Sequence, residues 1–170
     1  DSLIVYDSIG VGASAGAKFQ ELNRELRANI QYAKFNAGSA VLRPEAFYQP
    51  KIKNKDFFAN LKAQAWWHVA DRFRLTYQVV NAIKNGETPP PYKIDELISI
   101  DSSMPNIEKL KYELAIPMRD FDNNGRVKVE SKKDLAKRDI KSPNIGDAFI
   151  MSFAPVQAGL NINPDILGQL

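Results

Sequence analysis

The chain has 170 residues, 44% of them apolar and 25% charged, which suits one folded domain with a real core and excludes a wholly disordered chain. With no cysteine and a single histidine it can build neither a disulfide framework nor a thiolate or histidine-rich zinc site, so any bound metal must be held by oxygen. Basic residues outnumber acidic ones by 23 to 20, and no apolar run, LIVY and AFIMSFAPV included, approaches the roughly 18 residues that span a bilayer, so a soluble protein without membrane contact is expected.

The chain opens on Asp1 rather than Met and runs directly into an apolar stretch, Leu3 to Tyr6, which reads as a strand at the cut edge of a longer polypeptide. A glycine-punctuated turn with Gly10 and Gly12 follows, then a helix from Ala15 to Ala28 with Phe19, Leu22 and Leu26 at helical spacing. Ile30 to Phe35 alternates and ends at Asn36, so a second strand, parallel to the first, is expected. Residues 39–56, with Pro44 and Pro50 and the basic Arg43, Lys51, Lys53 and Lys55 against Glu45, read as a long surface loop. Asp56 can cap the longest helix, whose apolar positions Phe58, Leu61, Ala65, Val69, Phe73, Val80 and Ile83 recur until Asn85, Gly86 and the Pro89 to Pro91 run stop it.

Short helices are expected at Ile94 to Ile100 and Ile107 to Glu113. Two strands, Tyr112 to Phe121 and Arg126 to Glu130, flank the Asn-Gly turn at Asn124 and Gly125, a strong hairpin signal. Lys132 to Lys137 reads as a short basic helix. Ser142 can cap a last helix that has Pro143 at its first position and runs to Ala154. Residues 155–170 read as a tail.

Several motifs invite chemistry. Gly10, Gly12 and Ala15 satisfy a permissive dinucleotide pattern, but the acid expected after the second strand is missing and Asp7 would repel a pyrophosphate, so a tight strand-to-helix turn is the better reading. Asp120, Asp122, Asn124 and Gly125 resemble the opening of a calcium loop. Its twelfth position is Ser131, however, and the alternation of Val127 and Val129 favours a hairpin. His68 has no triad or zinc partner at a defensible spacing. Asp7 closes the first strand at the sheet edge where α/β folds place ligands, and Asp147 lies early in a helix beside apolar Ala148, Phe149 and Ile150, where a charge needs a partner or a metal. From Arg126 to Lys141 seven basic residues face three acids, a segment suited to a polyanion or to a solvated charged face.

The blocks VYDSIGVGA, FFANLKAQAWWHVADRF and GRVKVESKKDLAKRDIKSPNIGDAFIMSF, in this order, resemble the nuclease domain of tailed-phage and prophage large terminase subunits. The resemblance implies an α/β, ribonuclease H-like mixed sheet with flanking helices and a β-hairpin, truncated at its N-terminus, with residues 1–154 forming the C-terminal nuclease part of a longer chain. It implies a metal-dependent endonuclease of a viral DNA-packaging motor that cuts concatemeric double-stranded DNA. Asp7 and Asp147 would be catalytic and would bind Mg2+ or Mn2+ in a two-metal site, while Arg126, Lys128, Lys133, Lys137 and Arg138 would hold DNA. The first acid of the family would lie upstream. Asn144 departs from the family pattern, in which aspartate is common at this place. The implied partners are double-stranded DNA, the portal, the small terminase subunit and an ATPase domain in the parent chain, all in the host cytoplasm. A noncatalytic DNA-binding or assembly module of the same fold, or another ribonuclease H-like nuclease, remains the alternative.

Overall fold

The structure, a computed structural model, describes residues 3–9 and 14–154, so the turn at Gly10 and Gly12 and the tail 155–170 lie outside the described residues. The described residues up to Ala37 form one compact unit and Gly38–Ala154 a second.

The first unit is a strand, helix and strand: β1 (Leu3–Asp7), α1 (Ala15–Glu25) and β2 (Gln31–Phe35). The strands pair in parallel, Leu3 opposite Gln31 and Asp7 opposite Phe35, as the strand-helix-strand pattern requires. Tyr6, Phe19 and Tyr32 form an aromatic cluster with ring centroids 5.3–6.4 Å apart, and Ala33 and Phe35 are buried. The helix approaches the Tyr6 ring so closely that a Cβ at Gly16 would stand 2.2 Å from its hydroxyl, which fixes glycine there. Asn23 terminates the turn into β2 by donating to the Ile30 carbonyl and accepting from the Ile30 amide. The helix ends at Glu25 rather than Ala28, and Leu26 beyond it is exposed.

The second unit is organised around α3 (Leu61–Lys84). Before it come the hairpin β3 (Phe47–Gln49) and β4 (Ile52–Lys53) and one helical turn, α2 (Asn54–Phe57), so the segment expected to be an irregular loop is a built structure. The long helix starts later than expected. Phe58 is extended and bridges to Val127, and Asn60, not Asp56, caps α3 by accepting from the Ala63 amide at 2.9 Å.

The first half of α3 buries Leu61, Ala63, Ala65, Trp66 and Val69, as the apolar spacing predicts. The second half departs from it: Phe73, Val80 and Ile83 are 38%, 41% and 57% exposed, whereas Val79 and Ala82 are buried. The reason is geometric. Each residue turns the helix by about 100°, so a strict four-residue step drifts about 40° per step and carries the stripe off the core. The core-facing line continues instead through Arg72 and Thr76 to Val79. Arg72 donates to the carbonyls of Asp95 and Leu97, and Thr76 accepts from the Ile98 amide, which straps a 3-10 turn (Ile94–Glu96) onto the helix.

After α4 (Ile107–Ala115) come the hairpin β5 (Arg119–Phe121) and β6 (Val127–Val129), α5 (Lys132–Lys137) and α6 (Asn144–Ser152). Tyr112 to Ala115 is thus helical, and the hairpin is shorter than expected. Its turn is closed by Asp122, which accepts from the amides of Asn124 and Arg126 and pairs with the Arg126 guanidinium, so the calcium-loop reading of this carboxylate has no place. Gly125 takes φ +73°, as the turn demands. Among the described residues the strands form three two-stranded sheets, one parallel and two antiparallel.

Candidate metal and nucleic-acid site

Asp7 closes β1, half-buried, with its Oδ1 accepting from the Ile9 amide at 3.0 Å. It belongs to the first unit. Asp147 belongs to the second and lies in the first turn of α6, its side chain 20% exposed and its Oδ2 3.2 Å from the Lys132 ammonium.

What places Asp147 is a contact that sequence reasoning misses. Pro143 occupies the N-cap position of α6 and Ser142 makes no cap bond; its buried hydroxyl finds no partner among the described residues. A cap from another helix replaces it. Glu113 of α4, only 6% exposed, points its Oε2 at the start of α6 and accepts from the amides of Ile145 (2.7 Å) and Gly146 (2.8 Å). A carboxylate at a helix N-terminus satisfies amides that have no partner inside the helix and complements the helix dipole. The approach is close enough that a Cβ at Gly146 would lie 3.2 Å from the Cβ of Glu113. A glutamate in the last turn of a helix carries no sign of such a role, since its partner is 32 residues away.

Lys62, on the first turn of α3, donates to the Glu130 carbonyl at 3.2 Å. Burial pulls its ammonium below the usual lysine range; Asp147 and Glu130 act in the opposite direction, and Lys132 adds to the lowering. Asp147 is therefore set beside two lysines, one on α3 and one on α5. The Glu130 side chain is committed elsewhere. It accepts from the Met118 amide at 3.0 Å and from Arg138 at 2.6 Å, and these bonds hold its carboxyl below the usual range.

The five basic candidates lie in or next to β6 and α5, and four of them are partnered. Arg126 pairs with Asp122 (2.8 Å), Lys128 with Asp120 (3.1 Å), Lys137 with Asp134 (2.7 Å) and Arg138 with Glu130 (2.6 Å). Lys133 is exposed and forms no ion pair among the described residues.

Carboxylate oxygens are the right donors for a hard divalent cation. Yet no group of three aspartate, glutamate, histidine or cysteine residues that could hold a metal occurs among the described residues. Asp147 brings one carboxylate with an ammonium already on it, a donor set that does not by itself make a two-cation site. No helix among the described residues is long and apolar enough to cross a membrane.

No protein-family model matches the sequence, and no curated protein matches it. Solved structures do. The chain is similar to the nuclease domain of the large terminase subunit gp2 of bacterial virus Sf6, at 31% identity and TM-score 0.75 over 89% of this chain and 64% of that one. A lysine-to-alanine mutant of the same domain with manganese matches at 30% identity and TM-score 0.74, over 89% and 65% of the two chains, and the mutant with calcium at 30%, 0.74, 89% and 64%. This chain thus spans slightly under two thirds of the length of the domains it resembles.

Proposed function

We propose that this chain, which has the α/β, ribonuclease H-like fold of the nuclease domain of a phage large terminase subunit, is a metal-dependent endonuclease that cuts concatemeric double-stranded DNA during packaging. The observation that carries the reading is a likeness in both fold and sequence over 89% of the chain to a domain described as a nuclease and seen with manganese.

In this reading Asp7 and Asp147 are the carboxylates that the chain supplies to the reaction. Bound Mg2+ or Mn2+ would supply an activated water and charge compensation at the leaving oxygen. The residues around Asp147 set its part. Glu113 fixes the first turn of α6 and so the direction of the carboxylate. Lys132 balances its charge at 3.2 Å. Lys62, whose ammonium is held below its ordinary range, adds a second cation on the same side, suited to a phosphate oxygen. Arg126, Lys128, Lys133, Lys137 and Arg138 hold the DNA backbone, with Lys133 the readiest because no acid among the described residues pairs with it. The portal, the small terminase subunit and an ATPase domain are the partners, and the host cytoplasm is the place of action.

The test is plasmid cleavage in manganese by the chain and by D7N and D147N. Loss of cutting in both variants, with urea midpoints unchanged, supports the assignment; undiminished cutting in either removes that residue from it. One observation favours a second reading, a noncatalytic DNA-binding module: the absence of a three-acid group among the described residues. Duplex binding with no cleavage in any divalent metal would select it.

A further inference from the structure

The segment from Arg43 to Lys55 carries four basic residues and a single acid, Glu45. Lys53 and Lys55 both reach this carboxylate at 2.6 Å, and their bonds bring it down to about 2. Two cations thus share one anion. Arg43 and Lys51, both exposed, form no ion pair among the described residues. The contrast is with β6 and α5, where four of five basic candidates have an acid each.

The segment is rigidly built. Strand alternation turns Tyr48 inward, where its ring meets those of Phe57 and Phe58 at 4.6 and 4.8 Å and its hydroxyl donates to Asp71 at 2.8 Å. The Asn54 side chain donates to the carbonyls of Leu42 and Arg43, and the Gln64 side chain grips Leu42 through both its amide and its carbonyl. With Tyr48 pinned, its neighbours Phe47 and Gln49 face outward, and Phe47, 66% exposed, stands opposite Lys53 in the hairpin register. Arg43 and Lys51 also sit in left-handed backbone, φ +46° and +69°. Glycine would occupy these places without strain, which makes it the substitution that removes either cation while keeping the backbone.

We propose that the outward side of the β3–β4 hairpin is a second DNA contact of this chain, in which Arg43 and Lys51 take backbone phosphates and Phe47 packs on the sugars between them. It rests on the nuclease reading for the identity of its ligand. Such contacts hold and orient a duplex without reading its sequence.

The experiment is fluorescence anisotropy of a short labelled duplex against the chain over a potassium chloride series. R43G/K51G suits the left-handed backbone, so it removes two cations without a cost in folding, which a urea titration confirms. Each lost phosphate contact removes about 0.9 from the slope of log affinity against log salt, so the double variant should bind more weakly with a slope shallower by about 1.8. E45Q, which frees Lys53 and Lys55, should bind more tightly with a steeper slope. An unchanged slope in R43G/K51G overturns the proposal whatever E45Q does, as does tighter binding of polyglutamate than of duplex. Cleavage is scored separately: a chain that cuts DNA with a slope indifferent to R43G/K51G refutes the hairpin contact and keeps the nuclease, whereas a hairpin-dependent slope without cutting does the reverse.

Discussion

Replacing Glu113 by alanine tests the packing that positions Asp147. The carboxylate accepts two amide hydrogen bonds at the start of α6, 2.7 and 2.8 Å long, and is itself buried. A hydrogen bond to a charged group contributes roughly 1.5–3 kcal/mol, and loss of an ordinary N-cap costs about 1 kcal/mol. The two bonds share one acceptor and are not additive, and water can enter beside the freed amides, so E113A should lose about 2–4 kcal/mol. At about 2–4 °C per kcal/mol for a domain of this size, the melting temperature should fall by roughly 4–16 °C. E113Q keeps an acceptor oxygen and should lose about half as much. Urea titrations followed by circular dichroism measure both. The first turn of α6 carries Asp147, so cleavage by E113A should drop even where the protein is fully folded. A loss below about 0.5 kcal/mol in E113A, the scale of a neutral surface change, would refute the capping argument.

G146A should be destabilised by about 1–3 kcal/mol, because its Cβ would enter a contact already 3.2–3.3 Å from Glu113 side-chain and backbone atoms; an unchanged urea midpoint would show that α4 can yield. K132A removes the ammonium 3.2 Å from Asp147 and should raise manganese affinity by about two- to fivefold in calorimetric titration, the range of a partly exposed ion pair. Bonds from Lys137 and Ser131 hold the Asp134 carboxyl at about 2, below its ordinary 3.8. Its folded-state value is depressed, so its contribution is present above pH 4 and is lost as pH falls through 2. Between pH 4 and 2 the wild type should therefore lose more stability than D134N, and parallel curves in acid urea titrations would contradict this.

What was legible in the sequence was whatever short-range chemistry decides. The parallel pairing of β1 and β2, the hairpin at Asn124 and Gly125, the helix from Lys132 and the stop of α3 at Asn85 and Gly86 follow from local pattern and turn residues. The errors come from tertiary choices. Asp56 is as good a cap by type as Asn60, but Phe58 is taken by a bridge to Val127 and leaves the helix. Ser142 stands where a cap belongs, yet Glu113 of another helix does the work. Pro44 and Pro50 made residues 39–56 look irregular, while Asn54, Gln64 and Tyr48 bind them into a fixed hairpin through contacts more than ten residues apart.

Charge is where counting and structure part most clearly. The excess of basic residues between Arg126 and Lys141 suggests a surface for a polyanion, and in the structure Asp122, Asp134, Glu130 and, from the paired strand, Asp120 each pair with one of its cations. In a strand the pairing register, and in a helix a three- or four-residue step, decides which charges meet. Composition over a window is blind to both. Around Arg43 and Lys51 the same arithmetic gives a smaller excess but leaves more of it unmatched, since one glutamate serves two lysines. A salt-dependent hold on a phosphate backbone depends on the cations that release counterions, and a lysine already paired with aspartate releases fewer. Among the described residues Arg43, Lys51 and Lys133 form no ion pair, so under the nuclease reading proposed above they rank ahead of the paired residues as DNA contacts, an order that no count along the chain contains.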